Sequence, residues 1–199
     1  MKLKNLPLSL IAAALLSTAI SVRARTHDVA FSFRMGAGFI GDVNRTSPSS
    51  ILPSLLDTAN PVRLYGDPVI TNSAGSSVRG FLVGDTTITR IDGILVRPFP
   101  SQQASGGMSS AIGAASPPVA PAVVDVCRQG FILVKCNNFA VNPPTKGGAV
   151  FVWIAATAGN NIQGGFVAVT SVNTVTITNA RFNGAADSTG VCEIETWAA

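Results

Sequence analysis

The feature that most constrains this chain is how often its apolar runs are cut. Residues 72–77, Gly84-Asp85, Asp92-Gly93, Arg97-Pro98-Phe99-Pro100, Pro143-Pro144 and Gly147-Gly148 divide it into segments of a few residues each. Gly opens backbone conformations closed to other residues, Pro removes a hydrogen-bond donor, and Asp-Gly is a turn dipeptide. The segments between are rich in β-branched and aromatic residues. Several alternate, Thr174-Val-Thr-Ile-Thr178 most clearly, and Phe131-Ile132-Leu133-Val134 is the continuous apolar run of a buried strand. Beyond the amino terminus no segment carries a helical period of any length, and there is no repeat of fixed period. The pattern predicts an all-β fold of roughly eight to ten short strands, an antiparallel β-sandwich or barrel, with a jelly roll the leading form.

Strand candidates fall at residues 29–33, 62–65, 68–71, 78–83, 86–91, 94–96, 123–126, 130–136, 149–156, 165–169, 172–179 and 191–197, with a short helical turn at 54–58. The core is expected to include Phe131, Ile132, Val134, Val150, Val152, Ile154, Val167, Val175 and Ile177. Residues 101–121 are rich in Ser, Gly, Ala and Pro and carry no charge, as expected of an arm or contact loop. The expected organisation is an amino-terminal arm, 1–28, and one β domain, 29–199, that includes the long loop.

Charged residues are 12% and hydrophobic residues 47% of the chain. A surface so poor in charge is largely apolar or hydroxyl-bearing, and such surface usually rests on a partner. The formal charge of +4 comes entirely from Lys2, Lys4, Arg23 and Arg25, because the other ten basic residues balance ten acids. No basic stripe marks the body, so nucleic acid is not an expected partner.

Residues 1–25 read as a secretory signal, with Lys2 and Lys4 ahead of the apolar stretch 6–20 and Val22-Arg23-Ala24 as a cleavage site. The alternative is a retained apolar arm, helical or extended, lying on a neighbouring subunit. The stretch is too short and interrupted for a transmembrane helix, and no membrane is expected in the mature assembly. Cys127, Cys136 and Cys192 are an odd set with no CxxC spacing, which fits buried free thiols better than a disulfide framework; a Cys127–Cys136 pair is the minor alternative.

Catalytic material is sparse. His27 is the sole histidine, which leaves little scope for a nucleophile–base pair or a zinc site. Glu193 and Glu195 share a strand face and read as a polar surface rather than a glycosidase pair. Gly36-Ala37-Gly38-Phe39-Ile40-Gly41 spells GxGxxG, but residues 44–53 cannot open the helix that a phosphate loop requires; a tight loop using positive φ is the expected use. Asn44-Arg45-Thr46 matches a glycosylation sequon by chance frequency. No catalytic residue, cofactor or metal is expected.

Residues 30–46, Ala-Phe-Ser-Phe-Arg-Met-Gly-Ala-Gly-Phe-Ile-Gly-Asp-Val-Asn-Arg-Thr, resemble the opening of the capsid structural cement, or decoration, proteins of tailed bacteriophages. Tyr65-Gly-Asp-Pro-Val69, Arg97-Pro-Phe-Pro-Ser-Gln-Gln103, Lys146-Gly-Gly-Ala-Val-Phe-Val-Trp153, Gln163-Gly-Gly-Phe166 and Phe182-Asn-Gly-Ala-Ala-Asp187 resemble later parts of the same family. The resemblance runs from about residue 29 to the end, and residues 1–28 depart from it. It implies a jelly-roll-like β protein, not an enzyme, assembled in the host cytoplasm onto the outside of a capsid shell. Its partners would be the major capsid protein and itself, as a homodimer or alternatively a homotrimer. Arg34, Met35, Phe39, Asn44 and Arg45 are the expected contacts, because the two arginines bracket a small, apolar segment and suit acids on the shell. The competing reading is a secreted or cell-surface adhesin-like β protein with a cleaved signal.

Overall fold

A computed structural model describes residues 38–43, 49–97 and 122–197. All lie in one compact unit, Ala37–Ala199; the unit Met1–Gly36, the arm 1–28 and the loop 101–121 fall outside the described residues. Among the described residues there is no helix, and nine strands appear: β1 Ser50–Leu55, β2 Pro68–Thr71, β3 Val78–Arg79, β4 Gly93–Leu95, β5 Val123–Lys135, β6 Ala149–Trp153, β7 Phe166–Val167, β8 Thr174–Phe182 and β9 Val191–Thr196. They form one open antiparallel sheet in the order β3-β2-β4-β5-β9-β8-β6-β7, with β1 on β5. The barrel alternative is therefore not realised.

The spine is β5, one strand where the sequence suggests two. Its first half holds β1 on one edge and β4 on the other, and its second half pairs with β9. Between them Gly130 has φ +135°, and a Cβ there would come within 3.1 Å of Ser49 Cβ. A glycine at this point lets a single strand bend from one leaf into the next, the corner geometry of sandwiches. Residues from both leaves meet in the main core, Ile70, Ile94 and Cys127 from the first and Ile132, Val150, Ile177 and Ile194 from the second.

At its centre, in β2, β4 and Val126-Cys127 of β5, the first leaf is buried on both faces. Ile70, Ile94 and Cys127 face the main core, while their neighbours Val69, Leu95 and Val126 join a second cluster with Leu56, Val62, Tyr65, Val78 and Val124. That is why apolar residues here stand next to one another instead of alternating. The second leaf alternates. Eight of the nine expected core residues are buried, and Phe131 is the exception, half-buried and opposite Glu195 on the outer face. In this half of β5 only Ile132 and Val134 point inward among the main core residues, so the apolar run overstates burial at its first position.

Other local readings also change. Residues 54–58 are not a helical turn, because β5 offers a ladder that Ser54 and Leu55 take, and Leu56 bridges to Val78. Residues 62–65 form no strand; Val62 and Tyr65 are buried as loop side chains. Only Val78–Arg79 of 78–83 is strand. Gly93 is no hairpin turn but the first residue of β4, where a Cβ would meet Cys127 O at 2.5 Å. Residues 86–91 remain outside any strand, held by Asn179 of β8: its Oδ1 accepts the Ile91 N–H at 3.0 Å and its Nδ2 donates to Ile91 O at 2.8 Å. β8 continues through Phe182, past the expected strand end at 179. All three cysteines are free and buried; Cys127 Sγ donates to Gln129 O at 3.3 Å, and Cys136 lies against Cys192 rather than Cys127.

Candidate functional site

Three segments that are far apart in the sequence converge on β5 and β4. Gly41 N–H donates to Leu133 O (2.7 Å), Leu133 N–H to Asp42 O (2.9 Å), Arg97 N–H to Gly41 O (2.9 Å) and Gly66 N–H to Leu95 O (2.8 Å). The segment 38–43 thus pairs with the outer edge of β5 and ties down the chain at Tyr65-Gly66 and Arg97. Close approach is what the glycines supply. Gly41 has φ +88°, and a Cβ there would meet Tyr65 Cβ at 2.8 Å; Gly66 has φ +78°, and a Cβ would meet Ile40 Cγ2 at 2.4 Å. Of the GxGxxG spelling, Gly38 and Gly41 are described; both take positive φ, +121° and +88°, and the Gly41 amide is spent on β5.

What this knot presents outward is Phe39. Its ring is 56% exposed and lies 4.8 Å under the guanidinium of Arg97, itself buried. Stacking on a cation holds an aromatic in place while leaving its far face open. Burial pushes the Tyr65 hydroxyl pKa up, against the opposing charge of Arg97. Arg34, Met35, Asn44 and Arg45 lie outside the described residues, so of the expected contacts Phe39 alone is described.

Beside Tyr65 the chain opens a cleft of about 290 Å³ lined by Arg63, Asp67, Phe81 and Gln163, among others. Burial raises Asp67 to about 7, and the Leu64 N–H, at 3.2 Å, and the charge of Arg63 pull it back only in part. A second exposed feature escaped the sequence reading. Ile51 and Leu55 of β1 and Val123, the partner of Leu55, form an apolar patch on solvent, and Leu52 is exposed on the opposite face of the strand. The signal was present in Ser50-Ile-Leu-Pro-Ser-Leu55, but those residues read as irregular chain and a helical turn. Pro53 sits mid-strand. Leu56 N–H bonds Ala122 O, so by alternation Ile51, Pro53 and Leu55 turn their backbone groups away from β5.

No group of three or more His, Cys, Asp or Glu could hold a metal among the described residues. Glu195 is paired with Arg181 at 2.6 Å and Glu193 with Asn183, the polar strand face expected of them.

A model of the family described as "Structural cement protein (E217 gp24/Pam3 gp6)" matches residues 28–196. The chain belongs to the phage structural cement protein family. None of the curated proteins matches it significantly. A chain in the solved structure of the capsid of Myoviridae phage XM1 shares its fold, with a TM-score of 0.59 and 16% identity over 83% of this chain and 93% of that one. The cement protein is thus a structural capsid-associated protein, and nothing in these comparisons favours the secreted adhesin reading.

Proposed function

We propose that this cement protein sits on the outer surface of a tailed-phage shell and bridges neighbouring capsomers, with the major capsid protein as partner and a homodimer as its own assembly. A homotrimer is the alternative. The observation that carries the proposal is Phe39: an exposed aromatic, held by buried Arg97, at the point where segment 38–43, Tyr65-Gly66 and Arg97 meet. Arg34, Met35, Asn44 and Arg45 flank it in sequence and would complete the contact. Exposed aromatics on a rigid base are typical anchors of protein interfaces. Many copies on one shell add their contacts, so each need be only moderately strong. The β1 patch would serve the dimer, through its side chains, because the missing N–H of Pro53 interrupts any strand added to that edge.

The test adds purified protein to capsid shells that lack it and counts bound copies per shell. Phe39→Ala is expected to lower occupancy about tenfold or more at limiting protein, with an unchanged melting temperature. Unchanged occupancy would remove Phe39 from the interface, and a wild-type protein that left shells bare would end the proposal.

A further inference from the structure

The residues after β5 build a feature that the contacts proposed above do not include. Two hollows, of about 330 and 210 Å³, lie on either side of the Asn137-Asn138 turn and share both residues as lining. Asn137 is 4% exposed and rigidly seated. Its N–H donates to Phe166 O at 2.7 Å, its Nδ2 donates to Ile162 O at 3.3 Å, and a Cβ on Gly165 would strike that Nδ2 at 2.2 Å. Its Oδ1 accepts no hydrogen bond among the described residues. A buried amide with one end fixed and the other unspent is a preorganised acceptor.

The surroundings repeat that chemistry. Asn138, Asn142, Asn160 and Asn161 line one or both hollows, and their side chains have no hydrogen-bond partner among the described residues. Their backbones are nonetheless fixed. Asn138 holds φ +53°, Asn142 N–H donates to Asn138 O at 3.0 Å, and Asn161 closes a two-residue hairpin with Ala158 through a pair of 3.0 Å bonds. Half-buried Trp153 forms part of the wall of the second hollow.

The lining selects a ligand class. No carboxylate lines either hollow, so a cation would meet neutral amide oxygens with no opposing charge. The single cationic group, Lys135, is engaged by Thr189 O and stacks on Phe139 at 5.4 Å, which leaves a phosphate or carboxylate without a dedicated partner. What remains is a set of amides, each both donor and acceptor, beside an indole. Vicinal hydroxyls of a sugar ring need paired donors and acceptors, and the ring's C–H face packs on an aromatic. We infer that the groove around Asn137 binds a neutral saccharide, one ring in each hollow, independently of capsid attachment.

The experiment uses the full chain carrying Trp197→Phe, which leaves Trp153 as the sole tryptophan reporter. Glucose, galactose, N-acetylglucosamine, maltohexaose and chitohexaose are titrated while its fluorescence is read. A saturable change is expected, with a hexamer binding at least about tenfold more tightly than its monomer if the two hollows act together. Asn142→Ala with Asn161→Ala removes two unspent amides and should weaken binding about tenfold with no change in melting temperature. The absence of a saturable change with every sugar up to about 50 mM, beyond the usual millimolar range of weak ligands, would overturn the inference. So would binding that the double variant leaves intact.

Discussion

Asn179 acts as a strand partner for Ile91, 88 residues away: its side-chain amide takes both backbone groups of that residue, at 3.0 and 2.8 Å. The bulge in β8 makes this possible. Val150 pairs with Ile177 and Ala149 with Arg181, so Thr178, Asn179 and Ala180 have no partner on β6 and Asn179 turns inward, 2% exposed. Its Nδ2 also donates to Trp197 O at 3.2 Å, which ties the 86–91 segment to the end of β9 as well.

Asn179→Ala should therefore be among the most damaging polar substitutions in the body. It strands the N–H and C=O of Ile91 in the core and leaves a cavity. Each unsatisfied buried group costs about 1–3 kcal/mol, so a loss of roughly 2–4 kcal/mol is expected. Urea denaturation measures it. A loss below about 0.5 kcal/mol, the usual size of a surface change, would show that the amide pair does not hold the segment.

Gly66→Ala tests the knot beneath Phe39. The new methyl must enter at 2.4 Å from Ile40 Cγ2 and 3.1 Å from Leu133 O, on a backbone at φ +78°. Strain of this kind costs about 1–3 kcal/mol. The segment 38–43 is held by a few backbone bonds at the edge of β5, so it should yield first. Hydrogen exchange at the Gly41 amide, bonded to Leu133 O, should quicken more than exchange in β9. Equal protection of both in the variant would contradict this order.

The legible part of the fold was the part where periodicity and burial agree. Strands β6, β8 and β9 of the one-sided leaf showed themselves through Val150, Val152, Val175, Ile177 and Ile194, which alternate with polar or half-buried neighbours. The first leaf was harder. Its centre, β2, β4 and Val126-Cys127, is buried on both faces and has no alternation to read, and strands as short as Val78–Arg79 exist only because partners are there to pair with them. β1 was missed for the same reason: Pro53 suggested loop, and the free edge of β5 that accepts the strand cannot be seen in the sequence. Asn179 looked like an ordinary polar residue near a turn. At the site, Gly41 and Phe39 were picked out by the family resemblance and the glycine spacing, whereas the guanidinium over Phe39 depends on a packing between residues 39 and 97 that spacing does not encode.

Asp67 should give the protein a stability slope across weakly acid pH. Its carboxyl sits near 7 in the folded state because it is buried, against 3.8 as an ordinary group. The folded state thus holds a proton that the unfolded chain releases between those values. The stabilisation is complete below about 4 and is lost as pH rises through 7. Asp85 works in the opposite sense and in a lower window: burial raises it, but the Arg79 side chain and the Leu82 N–H together bring it down, so its stabilisation is lost as pH falls through its lowered folded-state value. Asp67→Asn should flatten the slope between about pH 4 and 7 without changing acid unfolding below it. Melting temperatures across that range decide the matter, and an unaltered slope in the variant would assign it to other groups.

The β1 patch separates two ways of self-association. If its side chains make the dimer, Ile51→Lys or Leu55→Lys should leave the fold intact, since both residues are already exposed, and shift sedimentation toward the monomer. Burying such apolar groups contributes on the order of 1.5–3 kcal/mol each, so one charge within the patch is enough to weaken a dimer of moderate affinity by about tenfold or more. Pro53→Val asks the complementary question. It restores an N–H on the side of β1 that faces away from β5, beside the outward-facing backbone of Ile51; past Leu55 that edge already meets Val78 through the Leu56 bridge. The repaired edge is then a template for strand addition, and larger oligomers should form at the expense of the discrete species. Lysine variants that kept the wild-type mass would show that the patch faces something other than a second copy. A Pro53→Val protein that stayed discrete would show that the edge is already covered in solution.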